Sequence, residues 1–183
     1  PFRADPITKN VGAVNQASIV IGEDREGNPA VYWMSARGPY MWSAAGLRYI
    51  GRNIETYIVG PSFTMATDNT TQNMACFYND KRQVWFWLRT VTGSGHTSVS
   101  LFPNAVFVLD VLSNGWSQYN GTGSSNITDG LAVVMYPLAV SDLKPFIGLH
   151  SSVGLMQCDA GVSDNGQTFQ ATITTKAKEP GGP

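Results

Sequence analysis

Apolar and polar positions alternate with a period of two through most of this chain, and the alternation is cut into short runs by turn residues. Ala30 to Ser43 reads as an apolar strand, a tight turn around Gly38, and a second strand carrying Tyr40 and Trp42 on one side. Val106 to Tyr119 has the same layout, with Asn114-Gly115 as a type I′ turn whose two central residues both need positive φ. Phe146 to Cys158 repeats it around Gly154.

Further strands fall between these hairpins. Ser18 to Gly22 is a first strand, followed by a polar turn from Glu23 to Pro29. Leu47 to Ile50 reads as an edge strand, and Arg52 to Ile58 is the one segment with helical character. Asn73 to Tyr78 forms a strand that enters the turn Asn79 to Arg82. Gln83 to Arg89 follows, and its unbroken apolar run predicts burial on both faces. Thr90 to Pro103, rich in Gly, Ser and Thr, reads as a long exposed loop. Leu131 to Tyr136 and the alternating Thr168 to Thr174 complete the strands.

First strands thus start near positions 18, 73 and 130, intervals of 55 and 57 residues. Each unit holds about four strands, the layout of β-propeller blades with inserted loops. The expected fold is therefore all-β, a propeller-like array of three four-stranded units at 18–60, 73–120 and 130–175. A lead-in segment at 1–17 precedes them, and a Pro/Gly-rich tail at 176–183 follows. A sandwich or a meander barrel is the architectural alternative. Three blades cannot close a propeller, so the array is expected to be part of a larger one, completed by further sequence or by other chains.

Composition narrows the function classes. The chain has 183 residues, 43% of them hydrophobic and 11% aromatic, but only 14% charged. So little charge leaves the surface to be finished by Ser, Thr, Asn, Gln and Gly, which suits proteins packed into assemblies or working outside the cell. The net charge of −1, without any Lys/Arg cluster, argues against direct nucleic-acid binding. No apolar run is long enough to span a bilayer as a helix. The start at Pro1 points to a processed product or a segment of a longer protein. Cys76 and Cys158 lie far apart and are expected as buried free thiols; with His96 and His150 they lack any zinc-ligand spacing.

Several of these segments resemble a known family. Ser18 to Ile21, Ala30 to Trp42 and Tyr49 to Glu55 are similar to the propeller of tailed-bacteriophage tail structural proteins, the nozzle and tail-tube-like group. Ala75 to Tyr78, Val108 to Ser117 and Asp159 to Lys176 resemble it as well. Asp164 to Lys176 is similar to the segment that leads from that propeller into a following β-domain. The resemblance implies a non-enzymatic virion protein of the phage tail. Its partners would be other copies of itself in a ring and the adjoining tail proteins, with no membrane and no sequence-specific nucleic acid.

The chemistry-bearing motifs are sparse. Asp164 to Phe169 matches the core of an Asp-box, a turn element of sialidase-like propellers, although Val162 stands where Ser is expected. A sialidase needs converging arginines and a Tyr-Glu pair. Arg37, Arg48, Arg52, Arg82 and Arg89 are present, yet after Glu55 the next Glu is Glu179. Arg37 reads as a solvent-facing turn residue. Ser94 and His96 lack a third group and an oxyanion hole, and Gly121 to Ser125 lacks the Lys of a phosphate loop. Asn69, Asn120 and Asn126 open glycosylation sequons of the kind that arise readily in a Thr/Asn-rich chain. No catalytic, cofactor or metal residue is therefore expected. Trp33, Tyr40, Trp42, Trp85, Trp87, Phe107 and Trp116 are expected to carry the packing. A carbohydrate-binding or sialidase-like propeller is the alternative, and it requires exposed tryptophans and clustered acids.

Overall fold

The computed structural model describes residues 11–60, 63–65, 73–92, 98–99, 105–119, 130–139, 142–149, 155–158 and 171–172. Strands dominate them. The first four are β1 (Ile19–Glu23), β2 (Pro29–Ser35), β3 (Gly38–Ser43) and β4 (Gly46–Tyr49). A 3-10 turn at Arg52–Ile54 then runs into α1 (Glu55–Ile58), a single helical turn where the sequence predicts a short helix. Next come β5 (Val59–Gly60), β6 (Phe63–Met65), β7 (Met74–Tyr78), β8 (Gln83–Leu88), β9 (Thr90–Thr92) and β10 (Ser98–Val99). The remainder are β11 (Ala105–Asp110), β12 (Gly115–Tyr119), β13 (Gly130–Ala139), β14 (Asp142–Leu149), β15 (Leu155–Gln157) and β16 (Ala171–Thr172).

These strands form antiparallel sheets, so the all-β expectation holds. Sheet one is the meander β1-β2-β3-β4, with β4 at its edge as expected. Sheet two runs β16-β12-β11-β8-β7, and sheet three runs β13-β14-β15. A fourth, small sheet, β10-β9-β6-β5, joins the end of the first predicted unit, a strand between the first two units, and two strands inside the second. The 90–103 segment, read from composition as a loop, therefore contains two short strands. Its Thr and Val residues are strand formers that the Gly and Ser around them obscure. The last expected strand of the third unit also departs from expectation: its described part, Ala171–Thr172, pairs with Gln118 and Tyr119 of β12 in sheet two.

Turn chemistry sets the registers. In sheet one, Ser35 pairs Gly38 across Ala36-Arg37, and Ser43 pairs Gly46 across Ala44-Ala45. Gly38 and Gly46 stand at φ +112° and +99°, so each turn closes on a left-handed residue that a side chain would strain. Asn114-Gly115 is not the expected type I′ turn. Asp110 pairs with Gly115 across the four-residue loop Val111 to Asn114, and only Asn114 has positive φ, at +56°. The reason is the Asp110 carboxylate, which accepts from Ser113 N at 2.7 Å and Ser113 Oγ at 2.8 Å and so caps a longer loop.

The core has two layers, one on each face of sheet two. In β8, Val84, Phe86 and Leu88 point into a layer shared with Tyr32, Met34 and Met41 of sheet one. Trp85 and Trp87, the intervening residues, point into a second layer with Ile147 and Cys158 from the third sheet and the residue after it. Strand β11 splits the same way, Phe107 and Leu109 to the first layer, Val106 and Val108 to the second. The double-sided burial read from Gln83 to Arg89 is thus present; each fully buried large side chain contributes about 1.5–3 kcal/mol. Cys76 and Cys158 are buried free thiols as expected, and burial pushes the Cys76 thiol pKa upward.

Strand β7 is where the sheets meet, since β1 and β13 both pack on it. Gly22 of β1 makes this approach possible: a Cβ there would lie 2.4 Å from Cδ2 of Phe77, whose ring stacks on Tyr32 at 6.4 Å. Trp116 adds a second tie, donating from Nε1 to the Ile50 carbonyl at 3.0 Å while stacking on Phe86.

Two outcomes follow for mutants. Gly22→Ala should destabilise by about 1–3 kcal/mol in chemical denaturation, because the Phe77 ring must leave its place. At the β11–β12 loop, Asn114→Val should cost about 1–2 kcal/mol through left-handed strain. Gly115→Ala should cost less there, because Gly115 lies outside the left-handed region and its new methyl meets only Ser113, whose Oγ is 3.0 Å away. Equal losses at the two positions would contradict the loop geometry.

Candidate functional site

Polar chemistry in the described residues concentrates around the loop joining β7 to β8. Asn79–Lys81 form a 3-10 turn, and Arg82 closes it in the left-handed region at φ 50°. That conformation is unfavourable for an arginine, and its contacts explain why it persists. The Arg82 guanidinium donates to the Asp24 and Arg25 carbonyls, 58 and 57 residues away, and Nε stands 3.8 Å from the Glu23 carboxylate. Its own carbonyl accepts from Val111 N at 3.0 Å. One residue therefore fastens the β1–β2 loop of sheet one to two loops of sheet two.

The receiving loop is rigid for its own reasons. The buried Asp24 carboxylate accepts from Asn28 N at 2.8 Å, Glu26 N at 3.1 Å and Asn28 Nδ2 at 3.4 Å. Burial works to raise the Asp24 pKa, but these hydrogen bonds outweigh it and hold the carboxyl below its ordinary value. Tyr32, which donates to the Glu23 carbonyl at 2.7 Å, has its phenol pushed up to about 12 by burial and by the Asp24 charge.

The other side of the same loop holds sheet three. Lys144 of β14 donates from Nζ to Tyr78 Oη at 2.7 Å, pairs with Asp142 at 2.8 Å and stands 3.9 Å from Asp80. The Asp142 contact and the Tyr78 bond raise the Lys144 pKa above its ordinary value. Lys144 and Lys81 also lie over the Tyr78 ring, at 5.3 and 5.9 Å. This cluster is a clasp: Arg82 ties the β7–β8 loop to sheet one, and Tyr78 and Asp80 tie it to Lys144 of sheet three.

The remaining surface of note is apolar. Register places Ile21, Val31, Trp42 and Leu47 in one row across the outer face of sheet one; in the next row, Ile19, Trp33, Tyr40 and Tyr49, Trp33 is buried against the Val11 segment. Neither row contains a charge. Ile21 is 75% exposed, Ile19 45%, Leu47 40% and Trp42 38%. The outer face of sheet three is mixed, since register sets Lys144 opposite Tyr136 on it. Val134, Tyr136 and Leu155 are 49%, 53% and 58% exposed, while the intervening Val133, Met135 and Met156 pack inward.

Of the aromatic residues expected to carry packing, Trp85, Trp87 and Phe107 are fully buried. Trp33 is buried too, its Nε1 donating to the Val11 carbonyl at 2.9 Å. Tyr40 and Trp116 are half-buried. Trp42 is the correction: alternation puts it opposite Met41, and Met41 takes the inward side, so Trp42 faces out. Arg37 is exposed at the β2–β3 turn as read, while Arg82 is committed to carbonyls at the opposite end of β2 and Arg89 is buried. These arginines do not converge. Ser94, His96, His150, the 121–125 stretch, the Asp164 to Phe169 motif, Asn69, Asn120 and Asn126 lie outside the described residues. Among the described residues no group of three or more His, Cys, Asp or Glu could hold a metal, and no helix is long and apolar enough to cross a membrane.

Comparison with protein-family models, with curated proteins and with solved structures finds no match in any of the three.

The Asp24 environment predicts an acid limb to stability. A carboxyl whose folded pKa is depressed stabilises fully above its unfolded value near 3.8 and loses that contribution as pH falls through the lower folded value. Wild type should melt above Asp24→Ala at pH 6, and the gap should narrow as the pH falls below the unfolded value near 3.8. A gap that stays constant from pH 6 to pH 2 would contradict this role for the carboxylate.

Proposed function

We propose that this chain is a non-enzymatic structural component of a bacteriophage tail, a nozzle or tail-tube ring protein whose sheets one, two and three act as successive blades of a β-propeller. The observation that carries the reading is the stack itself. Successive sheets lie face to face, the first strands of sheets one and three both rest on β7, the first strand of sheet two, and apolar faces remain bare at the two ends. A stack of this kind leaves its last faces to be covered by neighbouring subunits. In this reading copies of the chain and adjoining tail proteins are its partners, the virion is its location, and neither membrane nor sequence-specific nucleic acid is engaged. The low charge and the resemblance of Ser18 to Ile21, Ala30 to Trp42 and Tyr49 to Glu55 to phage tail propellers support it.

The exposed Trp42 favours the carbohydrate-binding alternative, since an open indole can stack on a sugar. Its row neighbours Ile21, Val31 and Leu47 argue the other way, because they offer no donor or acceptor for sugar hydroxyls. Deleting the coding segment from the phage genome should give filled heads without complete tails in electron micrographs. The purified chain should bind nothing on a saccharide array. Complete, infectious particles without the segment would refute the tail assignment, and saturable glycan binding lost in Trp42→Ala would favour the alternative.

A further inference from the structure

We infer that the β7–β8 turn is a coupler between sheets one and three. The grip of Arg82 on sheet one and the hold of Lys144 on the turn reinforce one another, so that loosening either outer sheet loosens the other. This coupling is independent of what the protein assembles with.

The two junctions of the stack are tied alike. Arg82, immediately before β8, reaches the Glu23 carboxylate at 3.8 Å and the Asp24 and Arg25 carbonyls, where β1 ends. Lys144, near the start of β14, reaches Tyr78 Oη at 2.7 Å and the Asp80 carboxylate at 3.9 Å, where β7 ends. In both cases a cation at the head of one sheet's second strand holds the end of the preceding sheet's first strand. The ties meet on one short segment, because Tyr78 to Arg82 receives the second and sends out the first. Among the described residues no core layer contains side chains of both sheets one and three. The turn therefore joins two sheets that the packing keeps apart.

Its shape is what carries the coupling. Asn79–Lys81 make a 3-10 turn, closed by Arg82 N donating to the Asn79 carbonyl at 3.0 Å with Arg82 at φ 50°. A residue with a Cβ disfavours that region, so without outside contacts the turn would give it up. One contact that holds it, Val111 N on the Arg82 carbonyl, lies within sheet two. The others come from the outer sheets, through the guanidinium on one side and Lys144 on the other. The same backbone conformation sets where the guanidinium leaves the turn and where the Asp80 carboxylate stands. Each tie thus stabilises the shape that the other requires, and such a coupling is reciprocal.

Hydrogen exchange on the full chain tests this, with rates in each sheet taken relative to β8 amides that open only in global unfolding. The reporters on sheet one are the Glu26 and Asn28 amides, both bonded to the Asp24 carboxylate. The reporter on sheet three is the Cys158 amide, bonded to the Pro145 carbonyl. Lys144→Met should speed the Glu26 and Asn28 amides by about fivefold or more. Arg82→Ala loses the grip but keeps the strain, and it should speed the Cys158 amide by a similar factor. Arg82→Gly also loses the grip, yet glycine accepts φ 50° freely, so the turn keeps its shape and Cys158 should stay close to wild type. Lys144→Met added to Arg82→Gly should leave Glu26 and Asn28 as they are in Arg82→Gly alone. Reporters that respond only to the tie on their own sheet would show two independent contacts. Equal acceleration of β8 would show general destabilisation, and equal effects of Ala and Gly on Cys158 would show that the turn's shape is not the carrier. Each of these results overturns the inference.

Discussion

A sheet buried on both faces leaves no side of its strands for water, and that constraint organises this protein. In β8, Val84 to Leu88 are all buried, alternate residues serving opposite layers, so sheet two cannot exist without a cover on each side. Sheet one supplies one cover through Tyr32, Met34 and Met41, and sheet three supplies the other through Ile147 and its neighbours. The order of the stack follows. So does its weakness: among the described residues each covering sheet packs on sheet two by one face, and its far face keeps apolar residues that a strand pattern places there.

Polar contacts then determine how the covers sit rather than whether they bind. The β7–β8 loop reaches both of them, Arg82 to the carbonyls of Asp24 and Arg25, Tyr78 and Asp80 to Lys144. Ion pairs that are partly exposed add little stability by themselves, but hydrogen bonds to fixed carbonyls have strict geometry. A left-handed arginine that grips a rigid Asx loop sets the rotation of sheet one on sheet two. Gly22 sets their separation, by admitting the Phe77 ring where any side chain would hold β1 away from β7.

Much of the fold was legible in the sequence, because period-two alternation and turn residues are local signals. The strands of sheet one, the double burial of β8 and the free, buried cysteines could be read directly. Alternation does not say which side of a strand is inward, and so Trp42 was assigned to the core when Met41 takes that place. Loop length was misjudged at Asn114-Gly115 because the deciding atom is the carboxylate of Asp110, outside the dipeptide. The small fourth sheet was hidden by the Gly and Ser around its Thr and Val residues. The clasp left no local trace at all: its partners are 58 and 66 residues apart, and neither Arg82 nor Lys144 stands in a motif. The functional reading rests on resemblance and on the bare faces, since Asp164 to Phe169 and His96 lie outside the described residues.

Native-state hydrogen exchange resolved by residue tests the dependence on sheet two most directly. If the doubly covered sheet is the foundation, backbone amides of β7, β8 and β11 that bond within the sheet should exchange only through global unfolding. Those of β4 and β15, the edges of the covering sheets, should exchange earlier, through local opening. Amides of β8 that exchange as readily as those of β4 would contradict the account, because sheet two would then be one layer among equals.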